Sequence, residues 1–71
     1  MRYNPQDLGL PKKVRLRGQQ YDPADRFMIE EVINNYLSDT YGWLVESYSY
    51  LLYKNHKDIL VYDIVWDTSD D

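Results

Sequence analysis

The side chains that could do chemistry in this chain are one histidine, four serines and twelve carboxylates. His56 lies in a polar break between two apolar runs, where Asp58 is the nearest residue that could orient it, so we interpret it as a solvated turn residue. Ser47 and Ser49 have no general base within reach, so nucleophilic catalysis has no support. The sequence therefore predicts no catalytic residue and a protein that is not an enzyme.

The acidic residues near the end of the chain are the remaining candidates for a metal or hydrolytic site. Asp70 and Asp71 follow Asp63 and Asp67, but no histidine or glycine-rich turn joins them. The chain has no cysteine, which excludes disulfides and thiolate zinc sites, and it has no phosphate-binding glycine loop. We therefore expect no metal and no cofactor, and we interpret Asp63 and Asp67 as charges that protect a strand from aggregation.

Charge is unevenly distributed along the chain, whose formal net charge is −4. Residues 1–17 hold five Lys or Arg residues against one Asp, a balance of +4, whereas residues 18–71 hold three against eleven, a balance of −8. An acidic body repels nucleic acid and favours a basic protein surface. The alternative is a nucleic-acid-binding accessory protein that uses the basic segment Lys12–Arg17. That segment also fits an edge strand whose charges resist aggregation, which is the interpretation we favour.

The most strongly patterned region, residues 42–68, predicts a β-hairpin. Two runs rich in Val, Ile, Tyr and Trp flank Asn55-His56-Lys57, a pattern typical of two strands and a turn. In the second run we expect four side chains to share the face that a helix covers: Leu60, Tyr62, Ile64 and Trp66.

The register of the hairpin depends on the length of its loop. A three-residue loop would pair Leu52 with Leu60 and Tyr50 with Tyr62, whereas a two-residue loop would pair Leu51 with Leu60. We favour the three-residue loop because it brings more apolar side chains together.

Residues 22–39 have the pattern of an amphipathic helix. Asp22 is the predicted N-cap, and Pro23 suits the first helical position. Apolar residues then recur at three- and four-residue steps and form one stripe: Ile29, Val32, Ile33, Tyr36 and Leu37. Phe27 falls on the polar side of this helix. Gly42 follows and can end the helix in the left-handed conformation.

The elements together predict a single α+β domain over residues 1–71. Residues 12–17 alternate between apolar and basic side chains, as a half-buried strand does. The order is then strand, helix, strand, strand, and the most apolar strand, the last, belongs in the centre of a three-stranded antiparallel sheet of order 1-3-2. The helix lies on one face of this sheet, and the basic first strand lies beside Asp63 and Asp67.

The two ends of the chain show no periodicity. Residues 1–11 predict an extended arm with Leu8 and Leu10 against the core, and residues 68–71 predict a solvated acidic tail. No apolar run approaches the length of a membrane span, and Met1–Pro5 is too polar for a signal peptide. With no cysteine in the chain, we expect a cytoplasmic protein that does not contact a membrane.

A single helix covers only one face of such a sheet. The other face is predicted to carry Val45, Leu51, Tyr53, Ile59, Val61 and Val65. An apolar patch of that size is unusual on a soluble monomer. We therefore expect the N-terminal arm, a second copy of the chain or a partner protein to cover it.

Two segments, residues 35–43 (NYLSDTYGW) and residues 63–68 (DIVWDT), resemble small uncharacterised proteins of phages and prophages in Gram-positive bacteria. The resemblance covers about half of the chain. It implies no enzyme activity and no site residues. It implies an accessory protein of a mobile element, including small acidic inhibitors that present carboxylates where their target expects phosphates.

These features predict a non-enzymatic, acidic protein-binding module, of which a mobile-element accessory or inhibitor protein is one form. Carboxylates would contact a basic surface of a host protein, with Tyr53 and Phe27 as aromatic anchors. The uncovered sheet face would bind this partner or a second copy of the chain. The predicted partner-binding residues are Phe27, Glu30, Glu31, Glu46, Tyr53, Val61, Asp63 and Asp67.

Overall fold

The computed structural model describes residues 3–68 and contains four elements. In chain order they are β1 (Val14–Leu16), α1 (Arg26–Tyr41), β2 (Leu44–Leu52) and β3 (Ile59–Asp67). The strands form one antiparallel sheet of order β1-β3-β2, so β3 is the central strand. The predicted α+β fold and its sheet order are confirmed. The predicted acidic tail at residues 69–71 lies outside the described residues.

The helix begins three residues later than predicted. Asp25 is the N-cap, and its carboxylate accepts a hydrogen bond from the Met28 amide at 3.1 Å. Asp22 instead closes a turn before the helix, because its carbonyl accepts from the Asp25 amide and its carboxylate accepts from the Ala24 amide. An Asp-Pro pair initiates a turn as readily as a helix, which is why Asp22 was the wrong choice of cap.

The helix docks on the sheet through the predicted stripe. Ile29, Ile33 and Leu37 are buried, and half-buried Val32 and Tyr36 flank them. Gly42 ends α1 at φ +77°, a conformation that costs glycine little, and its amide donates to the Ser38 carbonyl at 2.8 Å.

A β-bulge in the central strand decides which side chains of β3 face α1. Asp63 has a φ of +51°, and it is an extra residue on β3 between the pairs Ser49–Tyr62 and Ser47–Val65. Alternation along the strand is therefore interrupted once. The side chains on the helix side are buried: Ile59, Val61, Ile64 and Trp66. The side chains on the opposite side are half-buried or exposed: Leu60, Tyr62, Val65 and Asp67.

A second bulge at Glu46 on β2 compensates for the first. Beyond it Val45 pairs with Trp66, in the same register as Leu51 with Leu60 near the turn. The two bulges keep the apolar residues of both strands on matching faces. The observed pairing of Leu51 with Leu60 shows that the three-residue loop was the wrong choice.

The turn between β2 and β3 is stabilised by Asn55. Its side-chain oxygen accepts hydrogen bonds from the amides of Lys57 and Asp58, and His56 adopts φ +55°. The Tyr53 amide donates to the Asp58 carbonyl and closes the loop. These hydrogen bonds fix the register, which the apolar pattern left open because both faces of β3 are apolar.

The N-terminal arm is folded into turns and is not extended as predicted. The Leu10 amide donates to the Pro5 carbonyl, and Leu10 is buried whereas Leu8 is exposed. The Trp66 indole donates to the Pro11 carbonyl at 2.7 Å and ties the arm to β3. Thr68, which we expected in a solvated tail, is buried and hydrogen bonded to Tyr3.

Replacing Ile33 with alanine should lower the free energy of unfolding by about 2–5 kcal/mol, because a fully buried side chain leaves a cavity. That loss is large beside the stability of a domain of this size. Chemical denaturation checks it, with the exposed Asn35→Ala on the same helix as the control. A midpoint equal to that of the control would contradict the docking of α1 through this stripe.

Asp63→Val should lower the free energy of unfolding by about 1–2 kcal/mol, because a β-branched residue fits the left-handed conformation poorly. Asp63→Asn, which tolerates that conformation, should change it by less than about 0.5 kcal/mol. Denaturant titrations of both variants test the bulge. Equal stabilities for the two variants would show that position 63 does not need a positive φ.

Candidate functional site

The side of the sheet opposite α1 is uncovered within the described residues, and we call it the bare face. It is formed by Leu44, Leu51, Leu60, Tyr62 and Val65. Leu44 is 67% exposed, Leu51 57% and Val65 45%. Residues 3–11 of the N-terminal arm therefore leave these three side chains exposed. An apolar surface of this kind marks a site of contact with another molecule.

The bare face differs from the predicted one because of the bulge at Asp63. Val61 and Ile59, which we expected on it, have no exposed surface and belong to the core. The prediction that Val61 binds a partner is therefore wrong. Leu60 and Tyr62, expected under the helix, lie on the bare face instead.

One end of the bare face, far from the hairpin turn, is acidic. Leu44 pairs with Asp67 there, and Val65 lies two residues from exposed Asp63. Glu46 is exposed at the bulge of β2, next to Ser47, which pairs with Val65. Each of the three predicted carboxylates thus lies within two residues of Leu44 or Val65 along the paired strands, although Glu46 also lines the groove between β2 and α1. We call this region the acidic end.

The middle of the bare face is bordered by basic residues of the segment before β1. Lys12 and Lys13 line a shallow groove with Leu60, Tyr62 and Asp63. Ile64 donates its amide to the Lys12 carbonyl, which places this segment beside the bulge. β1 itself pairs with Ile59–Val61, so the prediction that the basic strand lies beside Asp63 and Asp67 is wrong. Lys12 and Lys13, which precede β1, are the basic residues that lie near Asp63.

Arg15 forms an ion pair with Asp58 that was not predicted from the sequence. Its Nη2 lies 2.7 Å from Oδ2 of Asp58, and its guanidinium carbon lies 4.3 Å from the centre of the Tyr53 ring. Tyr53, a predicted aromatic anchor, is thus half-buried beneath a cation. The signal that could have revealed this pair is the position of Asp58 directly after the turn and just before β3, which is the strand next to β1.

Asp58 ties β1, the following loop and the hairpin together. Its carboxylate also accepts from the Gly18 amide at 3.2 Å, and its carbonyl accepts from the Tyr21 hydroxyl. The hydrogen bond from Arg15 lowers the pKa of the Asp58 carboxyl below its ordinary value of 3.8, and the Gly18 amide acts in the same direction. The same hydrogen bond raises the pKa of Arg15. Asp58 is thus a buried carboxylate whose role is to hold the fold together.

The predicted helix residues form a second, separate surface. Phe27 is 83% exposed, and Glu30 and Glu31 follow it at spacings of three and four residues, so the three lie on adjoining parts of α1. This surface lies on the helix side of the sheet, away from the bare face. The structure therefore does not bring all the predicted partner-binding residues into one site.

A groove runs between α1 and β2, and it contains Tyr48, a tyrosine with a raised pKa. Arg26, Glu30, Asn34 and Tyr50 line it together with Tyr48. Burial raises the pKa of the Tyr48 hydroxyl above 10.0, and the nearby Glu30 carboxylate acts in the same direction, while a hydrogen bond from Asn34 opposes both. The hydroxyl is therefore protonated at neutral pH and serves as a polar contact at the rim of the core.

His56 lies exposed at the hairpin turn, as expected. Among residues 3–68 no group of His, Cys, Asp and Glu side chains is arranged to hold a metal ion. In the same part of the chain, α1 is neither long nor apolar enough to cross a membrane. Comparison of the chain with protein-family models, with curated proteins and with solved structures found no match.

Asp58→Asn should destabilise the protein at neutral pH, and its effect should fade in acid. Because the folded pKa is depressed, the carboxylate stabilises the fold above its unfolded pKa near 3.8, and this contribution is lost as the pH falls through the folded pKa. Thermal unfolding from neutral to strongly acidic pH checks this, with exposed Asp39→Asn as the control. A gap between parent and Asp58→Asn that stays constant down to the lowest pH would contradict the assignment.

Proposed function

We propose that this chain is a non-enzymatic protein-binding module that attaches the acidic end of its bare face to a basic surface of another protein. The observation that carries the proposal is the exposure of Leu44 and Val65, at 67% and 45%, on a sheet face where Asp63 is also exposed. Aliphatic side chains would supply most of the binding free energy, at about 25 cal/mol per Å² of apolar surface buried. Carboxylates would set orientation and the rate of association.

The charge of the chain supports a basic partner. The balance of −8 over residues 18–71 attracts cationic surfaces over long range. The resemblance to phage and prophage proteins supports an accessory or inhibitor protein that acts on a host protein in this way. In such a complex, Asp63 would take the place of an anionic group that the target normally binds.

The nucleic-acid alternative loses part of its basis when the positions of its cations are considered. The Arg15 guanidinium already forms an ion pair with Asp58 and a cation–π contact with the Tyr53 ring. Lys12 and Lys13 share their groove with Asp63, whose carboxylate would repel a phosphate backbone. Protein binding therefore remains the function that the arrangement supports best.

The proposal is tested by site-specific photo-crosslinking in lysate of the cells that carry the protein. A photo-reactive phenylalanine at Leu44 should crosslink one protein, and Val65→Lys should abolish that crosslink because a lysine on the acidic end repels a basic surface. The crosslinked protein should carry a basic surface, and added salt should reduce the yield.

Two matched variants on α1 provide the control. The same photo-reactive residue at exposed Asn35 should give no such crosslink, and Asn35→Lys, which adds the same charge as Val65→Lys, should leave the crosslink from position 44 intact. Equal crosslinking from positions 35 and 44, no crosslink from position 44, or a partner with an acidic surface would contradict the proposal. Circular dichroism confirms that each variant is folded.

A further inference from the structure

The two edges of the sheet differ in their protection against pairing with another strand. β1 is three residues long and lies within the cationic segment Lys12–Arg17. Shortness and charged side chains are the devices with which natural sheets prevent edge-to-edge association. In β2 the segment Ser47–Leu52, with the sequence SYSYLL, has neither a charge nor a proline. The β1 edge of the sheet is therefore protected, whereas the β2 edge has a bulge and a charge at Glu46 but no such protection over Ser47–Leu52.

The backbone groups of this second edge are directed outward. Within residues 3–68, β2 is paired with β3 alone and stands at the end of the sheet. The Tyr53 amide donates to the Asp58 carbonyl, and hydrogen-bonded and non-bonded pairs alternate along an antiparallel ladder. It follows that the N–H and C=O groups of Tyr48, Tyr50 and Leu52 point away from β3. Such an edge is a template for an added strand.

We propose that the occupant of this edge is a second copy of the chain, with the two β2 strands antiparallel about a twofold axis at Ser49. In this register Tyr48 of one copy lies opposite Tyr50 of the other, and each pair exchanges its backbone hydrogen bonds. The two sheets join into one, with both helices on the same side. This inference does not rest on the proposed function, because the edge of β2 is distinct from the bare face.

The side chains at this junction are self-complementary. The rings of Tyr48 and Tyr50 lie 6.3 Å apart within one copy, and the axis would bring the same pair from the second copy beside them. Aromatic pairs across neighbouring strands stabilise a sheet. On the opposite face Ser49 meets its own copy at the axis and Ser47 lies opposite Leu51, so no two bulky side chains oppose each other there.

Charges at the two ends of the groove are also complementary under this symmetry. Asn34 and Tyr48 line this groove together, and Arg26 lies eight residues before Asn34 on α1, which is about 12 Å toward the hairpin turn. Glu46 lies three residues before Ser49 on β2, about 10 Å from the axis in the opposite direction. The twofold axis therefore brings Arg26 of each copy close to Glu46 of the other.

Joining the sheets in this way would place the two bare faces on the same side of one continuous sheet. Each dimer would then present two acidic ends, and a partner with two basic sites could bind both at once. The dimer would in this way raise the overall affinity for such a partner without adding a contact to either acidic end.

Sedimentation velocity of the full chain over a wide range of concentration tests the dimer. The parent should shift from monomer to dimer as its concentration rises. Ser49→Lys and Ser49→Glu should each weaken the dimer by roughly tenfold or more, because like charges would meet at the axis. An equimolar mixture of the two variants should restore a dimer of one copy of each. Ser49→Thr, which adds no charge, should dimerise as the parent does.

Each alternative outcome is decisive. A parent that stays monomeric at every concentration would overturn the inference. A dimer that persists in both charged variants would place the contact elsewhere, and a mixture that fails to restore it would exclude the axis at Ser49. The photo-crosslink from position 44 reports on the bare face separately, so failure of the dimer and failure of the proposed function can be distinguished.

Discussion

The rest of the structure depends on the single extra residue at Asp63 in the central strand. A regular strand would place Val61, Asp63 and Val65 on one side and Tyr62, Ile64 and Trp66 on the other. The bulge breaks this alternation once, so Val61, Ile64 and Trp66 are all buried under α1. Burial of Trp66 in turn positions its indole to donate to the Pro11 carbonyl and so holds the N-terminal arm.

The same bulge determines what the protein offers to other molecules. It turns Val65 outward beside Leu44, and it exposes the Asp63 carboxylate on the same face. Residues 3–68 form one helix, on the opposite face, so the apolar side chains on this face remain at the surface. The core and the candidate binding surface therefore follow from one local feature of the backbone.

The hairpin turn is held by polar groups, in contrast to the helix. Asp58 receives hydrogen bonds from Arg15 in the neighbouring strand β1 and from Gly18 just after it, and Asn55 closes the turn through its side chain. Together these groups fix the position of β1 against β3 at the end where the arm does not reach. With the charges of β1 occupied or exposed, β2 is left as the edge open to another strand.

Much of the fold could be predicted from the sequence because the helix stripe and the order of elements are carried by periodicity. The three-to-four residue spacing of Ile29, Ile33 and Leu37 specifies a buried helix face, and the apolar character of β3 specifies the central strand. The faces of β3 could not be predicted. Its side chains are apolar on both sides, so their alternation does not show which set faces the helix. The bulge at Asp63, with its positive φ, has no sequence pattern that would predict it.

The candidate site was predictable only in part for the same reason. Asp63, Asp67 and Glu46 were identified as carboxylates for a partner, and the strand pairing places each of them within two residues of Leu44 or Val65. Val61 was assigned to this surface by counting alternate residues across the bulge, and it is buried. The pairing of Arg15 with Asp58 was missed because it depends on the register, and the register depends on hydrogen bonds of the Asn55 side chain.

The bulge determines which side chains of β3 are buried and which are exposed. This arrangement is tested most directly by solvent paramagnetic relaxation of methyl groups, measured by NMR with a soluble gadolinium probe. We expect strong relaxation for the methyl groups of Val65 and Leu44 and weak relaxation for those of Val61 and Ile64. Shielding of Val65 together with Val61, with Ile64 exposed to the probe, would show a regular strand. That result would contradict both the core and the bare face described here.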